Sequence, residues 1–179
     1  MNAILAFALL LGASAPQQQT PPAPQPQAQP APRPNPCDAP EFRHFDFWIG
    51  EWDVVGPKGQ KAGSNIIEPL AGNCGIHENW TGIGGGLGRS LNTYDRADGK
   101  WHQVWVGNGG MILRLSGGLR DGTMVLEGTT TGPRGTMMHR IAWTPMDDGR
   151  VRQFWQTSID GGTTWNVAFD GYYSRKRKG

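Results

Sequence analysis

From Gly50 to Arg175 apolar and polar residues alternate in short runs, and turn residues interrupt the runs at regular intervals. The interruptions are Pro57-Lys58-Gly59, Gly72-Asn73, Gly82 through Gly88, Ala97-Asp98-Gly99, Asn108-Gly109-Gly110, Asp121-Gly122, Gly132-Pro133-Arg134-Gly135, Asp147-Asp148-Gly149 and Asp160-Gly161-Gly162. Gly, Asn and Asp tolerate the backbone angles of tight hairpins. They separate about ten segments rich in apolar, aromatic and Thr residues, the composition of strands. No long segment has a helical period. The pattern predicts an all-β fold, a single antiparallel up-and-down β-barrel of about ten strands, because closure removes exposed sheet edges. Ahead of it, Pro40 to Phe47 is expected to form a short N-terminal helix with Phe42, Phe45 and Phe47 on its apolar side.

Within this alternation one pattern recurs. His77-Glu78-Asn79-Trp80, His102-Gln103-Val104-Trp105 and Arg152-Gln153-Phe154-Trp155 each place a Glu or Gln two residues before a Trp. On a strand that spacing puts both side chains on one face. Repeated amides and carboxylates beside indoles suit a concave binding surface, where a few polar groups orient a ligand on an aromatic lining. The candidate ligand-binding sets are Glu78 with Trp80, Gln103 with Trp101 and Trp105, and Gln153 with Trp155. Ser90, Asn92 and Tyr94 form a comparable set. Val104, Val106 and Phe154 occupy the opposite faces and compete for the interior. The polar–aromatic sets are assigned inward because large indoles are rarely left exposed. The plain alternative is a filled barrel, in which Glu78, Asn92, Gln103 and Gln153 hydrogen-bond one another and leave no room for a ligand.

The N-terminal fifth has a different character. Ala3 to Leu11 is apolar but too short to span a bilayer, and Ala13-Ser14-Ala15 has the small-x-small form of a cleavage site. Residues 1–15 are therefore expected to be a signal peptide, although no Lys or Arg precedes the apolar run and Pro16 follows the cut. A retained anchor is the alternative. Residues 16–36 are Pro, Gln and Ala with little else, the composition of a disordered linker. Residues 37–179 make one domain, with no transmembrane span. Export to the periplasm or beyond makes a disulfide between Cys37 and Cys74 the expected use of the two cysteines.

Charge narrows the partners. The chain carries 17 Lys and Arg against 15 Asp and Glu, a formal net charge of +2. That near balance gives no basic footprint for nucleic acid. The cluster Arg175-Lys176-Arg177-Lys178 reads as a solvated chain end.

Phe45-Asp46-Phe47-Trp48-Ile49-Gly50-Glu51-Trp52-Asp53-Val54 carries a resemblance. Its Gly50-Glu51-Trp52 resembles the Gly-x-Trp that opens the first strand in calycins, the superfamily of lipocalins and fatty-acid-binding proteins. The longer string is similar to an uncharacterised family of exported bacterial proteins with a calycin-like barrel. The similarity continues through Gly72-Asn73-Cys74, Ser90 to Asp95, Trp101 to Trp105, Trp143-Thr144-Pro145 and Phe169-Asp170-Gly171. It implies a calycin-like fold in which Trp48, Gly50, Trp52 and Arg175 close one end of the barrel, Arg175 lying over Trp52. It implies no activity. Nitrobindin-like barrels bind haem through a His near the C-terminal end; here the last His is His139, which argues against haem.

Other motifs carry less. Ser158 to Trp165 matches the Asp-box pattern once, without the repeats of a propeller, and is expected to be a hairpin in which Asp160 accepts turn amides. Gly82 to Gly88 lacks the glycine spacing of a dinucleotide site. His44, His77, His102 and His139 show no metal-ligand spacing, and no nucleophile motif is present. The sequence thus implies no cofactor, no metal and no assigned catalytic residue. Its leading reading is a carrier or sensor of a small apolar or aromatic ligand. An enzyme using Glu78 for proton transfer, and a cell-envelope interaction module with a filled barrel, are the alternatives.

Overall fold

The computed structural model describes residues 34–177. The predicted signal peptide and nearly all of the predicted linker lie outside the described residues. Ten strands follow one another as β1 (Gly50–Val55), β2 (Lys61–Leu70), β3 (Gly75–Gly82), β4 (Leu87–Asp95) and β5 (Lys100–Gly107), then β6 (Ile112–Arg120), β7 (Thr123–Gly132), β8 (Gly135–Pro145), β9 (Val151–Ser158) and β10 (Asn166–Arg175). Each pairs antiparallel with its chain neighbours, and β1 pairs with β10, so the sheet is a closed barrel. The predicted all-β up-and-down barrel is therefore present, with hairpins where the turn residues stand.

The short helix expected over Pro40 to Phe47 is instead broken into 3₁₀ turns at Pro36–Asp38, Pro40–Arg43 and Asp46–Trp48. Proline opens the first two, and its missing N–H is harmless at that position. A 3₁₀ helix has three residues per turn, so Phe42, Phe45 and Trp48 share a side. All three are buried, whereas Phe47 is only partly so. Phe45 stacks on Trp48 with centroids 4.9 Å apart and meets Trp101 and Trp143 edge-on at 5.6 and 5.2 Å. This aromatic plug fills one end of the barrel. The Trp101 indole N–H donates to Glu41 O at 3.1 Å, tying the plug to β5.

The seam between β1 and β10 is short, running only from Trp52↔Arg175 to Val55↔Tyr172. Side chains reinforce it. The Arg175 guanidinium lies 4.1 Å from the Trp52 ring centroid and donates to Ile49 O at 2.6 Å. Gly50 has φ +144, and a β-carbon there would lie 3.0 Å from Arg175 Cζ, so the position suits glycine alone. A disulfide joins Cys37 to Cys74 and pins the plug to the β2–β3 turn.

Between β9 and β10 the Asp160 carboxylate accepts from Thr164 N, and Ser158 Oγ donates to it at 2.7 Å. These bonds hold its pKa down to about 2. The Trp165 indole N–H folds back to Gly162 O at 3.0 Å. This is the hairpin expected for the Asp-box segment.

Candidate functional site

Away from the plug the barrel holds a cavity of about 200 Å³. Alternation along the strands decides its walls. The structure turns the polar–aromatic faces inward and leaves Val104 and Val106 outside, 43% and 48% exposed. From β3, β5 and β9 come Glu78 and Trp80, Gln103 and Trp105, and Gln153 and Trp155. Leu113, Ile141 and Trp143 line the cavity from β6 and β8, and Phe169 and Tyr173 from β10.

The polar floor is a connected chain of hydrogen bonds. Gln103 Nε2 donates to Asn92 Oδ1 at 2.7 Å, and Asn92 Nδ2 donates to Ser90 Oγ at 2.9 Å. Ser90 Oγ donates to Glu78 Oε2 at 2.6 Å, while Asn65 Nδ2 donates to Glu78 Oε1 at 2.8 Å. The Tyr173 hydroxyl donates to Gln153 Oε1 beside this chain. Glu78 is 5% exposed. Burial pushes its carboxyl pKa up, against the weaker pull of the Ser90 and Asn65 bonds and of the Arg89 charge. Burial also pushes the Tyr173 phenol well up, with the Glu78 charge adding to it, so the phenol stays a neutral donor. Asn65 Oδ1 and Trp143 Nε1 are buried with no hydrogen-bond partner among the described residues.

The rim is aromatic. Trp80, Trp105, Trp155 and Phe169 are partly buried around the mouth, and Trp80 meets Phe169 edge-on at 5.9 Å. Three of these rings rest on glycines. A β-carbon at Gly63 would lie 2.7 Å from Trp80 Cη2, one at Gly88 2.6 Å from Trp105 Cε2, and one at Gly171 2.5 Å from Phe169 Cζ. The glycines leave the ring faces flat against the wall and keep the bore open. Trp155 is held differently: its indole N–H donates to His139 Nδ1 at 3.3 Å, and His139 Nε2 meets Thr130 Oγ1 at 2.8 Å. Burial lowers the His139 pKa and favours the neutral ring that accepts from Trp155.

The predicted set thus divides by depth. Glu78, Trp80, Gln103, Trp105, Gln153 and Trp155 meet at the cavity. Asn92, Tyr94 and Trp101 do not reach it. Asn92 lies fully buried beneath Gln103, Trp101 belongs to the plug, and Tyr94 packs edge-on against Phe42 at 5.3 Å. The filled interior is realised only in part: Glu78, Ser90, Asn92 and Gln103 bond one another, yet space remains above them. Leu113, Ile141, Trp143, Phe169 and Tyr173 were not candidates from sequence. The signal for Phe169 and Tyr173 was their even spacing along β10, ending two residues before Arg175.

Among the described residues one group with metal-ligand proximity stands outside the cavity. Asp95, Asp98 and His102 bring ligand atoms within 4.8 Å of one another at the β4–β5 turn. His102 Nε2 already pairs with Asp98 Oδ2 at 2.9 Å, which lowers the Asp98 pKa. No helix among the described residues is long and apolar enough to cross a membrane. No family model matches the chain and no curated protein matches its sequence.

Proposed function

We propose that this protein is an exported, calycin-like small-molecule-binding barrel, a carrier or sensor of an apolar or aromatic ligand. One observation carries the reading: a cavity rimmed by Trp80, Trp105, Trp155 and Phe169 lies over a floor of oriented polar groups. Aromatic walls supply contact area, and a few fixed polar groups supply orientation. The disulfide suits an oxidising compartment, in keeping with export.

The test is titration of the folded domain with a fluorescent apolar probe, read by probe emission and by quenching of the tryptophans. Saturable binding is expected. Gln103→Ala with Gln153→Ala is expected to change the ranking of ligands more than the unfolding midpoint. A double variant that unfolds without changing that ranking makes the two glutamines structural.

A second reading rests on Glu78. A buried carboxyl with a raised pKa in a cavity is the form of a general acid or base. A saturable turnover abolished by Glu78→Gln in a folded protein would establish it over the carrier.

A further inference from the structure

The cavity has a chemical polarity that narrows its ligand. Among the described residues Glu78 is the sole carboxyl group on its wall, and no Lys, Arg or His lines it. Arg89, whose charge pulls weakly on Glu78, is engaged elsewhere: its Nη1 donates to Trp80 O at 3.1 Å and to Gly88 O at 2.7 Å. A buried carboxylate without a cationic partner is costly. Its oxygens each accept one protein bond, from Asn65 and Ser90, and each carboxylate oxygen can accept a second. Gln103, Asn92 and Ser90 donate one to the next toward Glu78, an arrangement that stabilises negative charge there, while Asn92 Nδ2 also donates to Ile76 O at 3.3 Å. The floor thus holds a carboxyl whose charged form the hydrogen bonds favour and burial opposes, and among the described residues no countercharge lines the cavity beside it.

The walls fit the rest of such a ligand. An apolar cavity of about 150 Å³ accommodates benzene. About 200 Å³ takes one ring with a short substituent. Indole and phenyl faces attract cations as well as rings. A carboxylate-bearing ligand would meet Glu78 with no basic residue to receive it.

We propose that the ligand is a small aromatic or apolar ammonium, a primary amine or protonated nitrogen base, whose N–H donates to Glu78 while its ring lies among Trp80, Trp105 and Trp155. This rests on the binding-barrel reading and adds the charge of the occupant. Ligand and Glu78 carboxylate would form an ion pair at the cavity floor, with the Tyr173 hydroxyl and the Gln103 amide beside it.

The test uses three molecules of matched size, 2-phenylethylamine, 2-phenylethanol and phenylacetate, titrated against the folded wild-type domain by calorimetry and tryptophan quenching. The amine is expected to bind about tenfold or more tighter than the alcohol, the worth of one charge-assisted hydrogen bond, and phenylacetate to bind weakest. Amine affinity is expected to rise with pH as Glu78 ionises, with alcohol affinity flat. Glu78→Gln is expected to bring amine and alcohol to equal affinity. Because the wild-type series and its pH profile need no variant, loss of folding in Glu78→Gln leaves the test intact. If the alcohol or phenylacetate matches the amine, the cationic ligand is overturned and the binding barrel stands. If none of the three binds and the fluorescent apolar probe fails as well, both are overturned.

Discussion

Glu78 is the residue at which burial and hydrogen bonding pull in opposite directions. Its carboxyl accepts from Asn65 and Ser90, yet its burial outweighs those bonds and raises its pKa. An acid whose folded pKa is raised binds its proton more tightly in the native state. Its stabilising contribution is complete below the unfolded carboxyl value, about 4.3, and is lost as pH rises through the raised folded value. The wild-type denaturation midpoint should therefore carry a component that falls with pH across that window. Glu78→Gln removes the titration and should flatten it, since an amide fits nearly the same space. Urea midpoints of both proteins at a series of pH values measure this, and superimposable profiles would assign the pH dependence to other groups. A carboxyl that weakens the fold when ionised is the kind of group that a cationic ligand would relieve.

At the scale of the strand, the rim depends on residues with no side chain. Trp105 lies across both Gly88 and Gly107, where a β-carbon would come within 2.6 and 2.7 Å of its ring. Gly88→Ala should push the indole off the wall toward the bore. Overpacking of this kind costs about 1–3 kcal/mol. Binding of an apolar probe should fall further than that stability loss alone explains, because the cavity itself narrows. Probe affinity measured beside the unfolding midpoint separates the two effects; a variant with lowered stability and unchanged affinity would show that Trp105 does not gate the space. Strands also explain which parts of the site were legible. Period-two alternation identifies a face, and it placed Glu78, Gln103 and Gln153 on the same side as their tryptophans. Alternation does not measure depth along the bore. Trp101 and Trp105 share a face of β5, yet one packs on Phe45 in the plug and the other edges the cavity. Leu113 and Ile141 read as ordinary core residues, and only the closed barrel brings them to the same cavity as Glu78. The three 3₁₀ turns escaped sequence reading because a three-residue aromatic spacing over so few residues also fits a helical turn.

At the scale of the whole molecule, the reinforced end of the barrel and the cavity lie opposite each other. The plug of Phe45 and Trp48, the seam of Trp52 and Arg175, and the Cys37–Cys74 bridge all lie at the closed end. The aromatic rim and the Glu78 floor face the other way. The ring of ten strands was legible because each hairpin is announced locally by its own turn residues, and antiparallel neighbours need no distant information to pair. The bridge spans a sequence separation of 37 residues. Closing a loop of that length restricts the unfolded chain by about 4 kcal/mol in the chain-entropy model. Replacing both cysteines by serine should lower the unfolding free energy by about 3–4 kcal/mol. It should leave probe and amine affinities within about twofold of wild type at temperatures where the domain stays folded, as expected for sites without shared partners. Denaturant titration and binding on the same preparation test both halves. A large loss of affinity in the folded serine variant would mean that the plug sets the height of the cavity floor, coupling the two ends through Trp143, which touches Phe45 on one side and lines the cavity on the other.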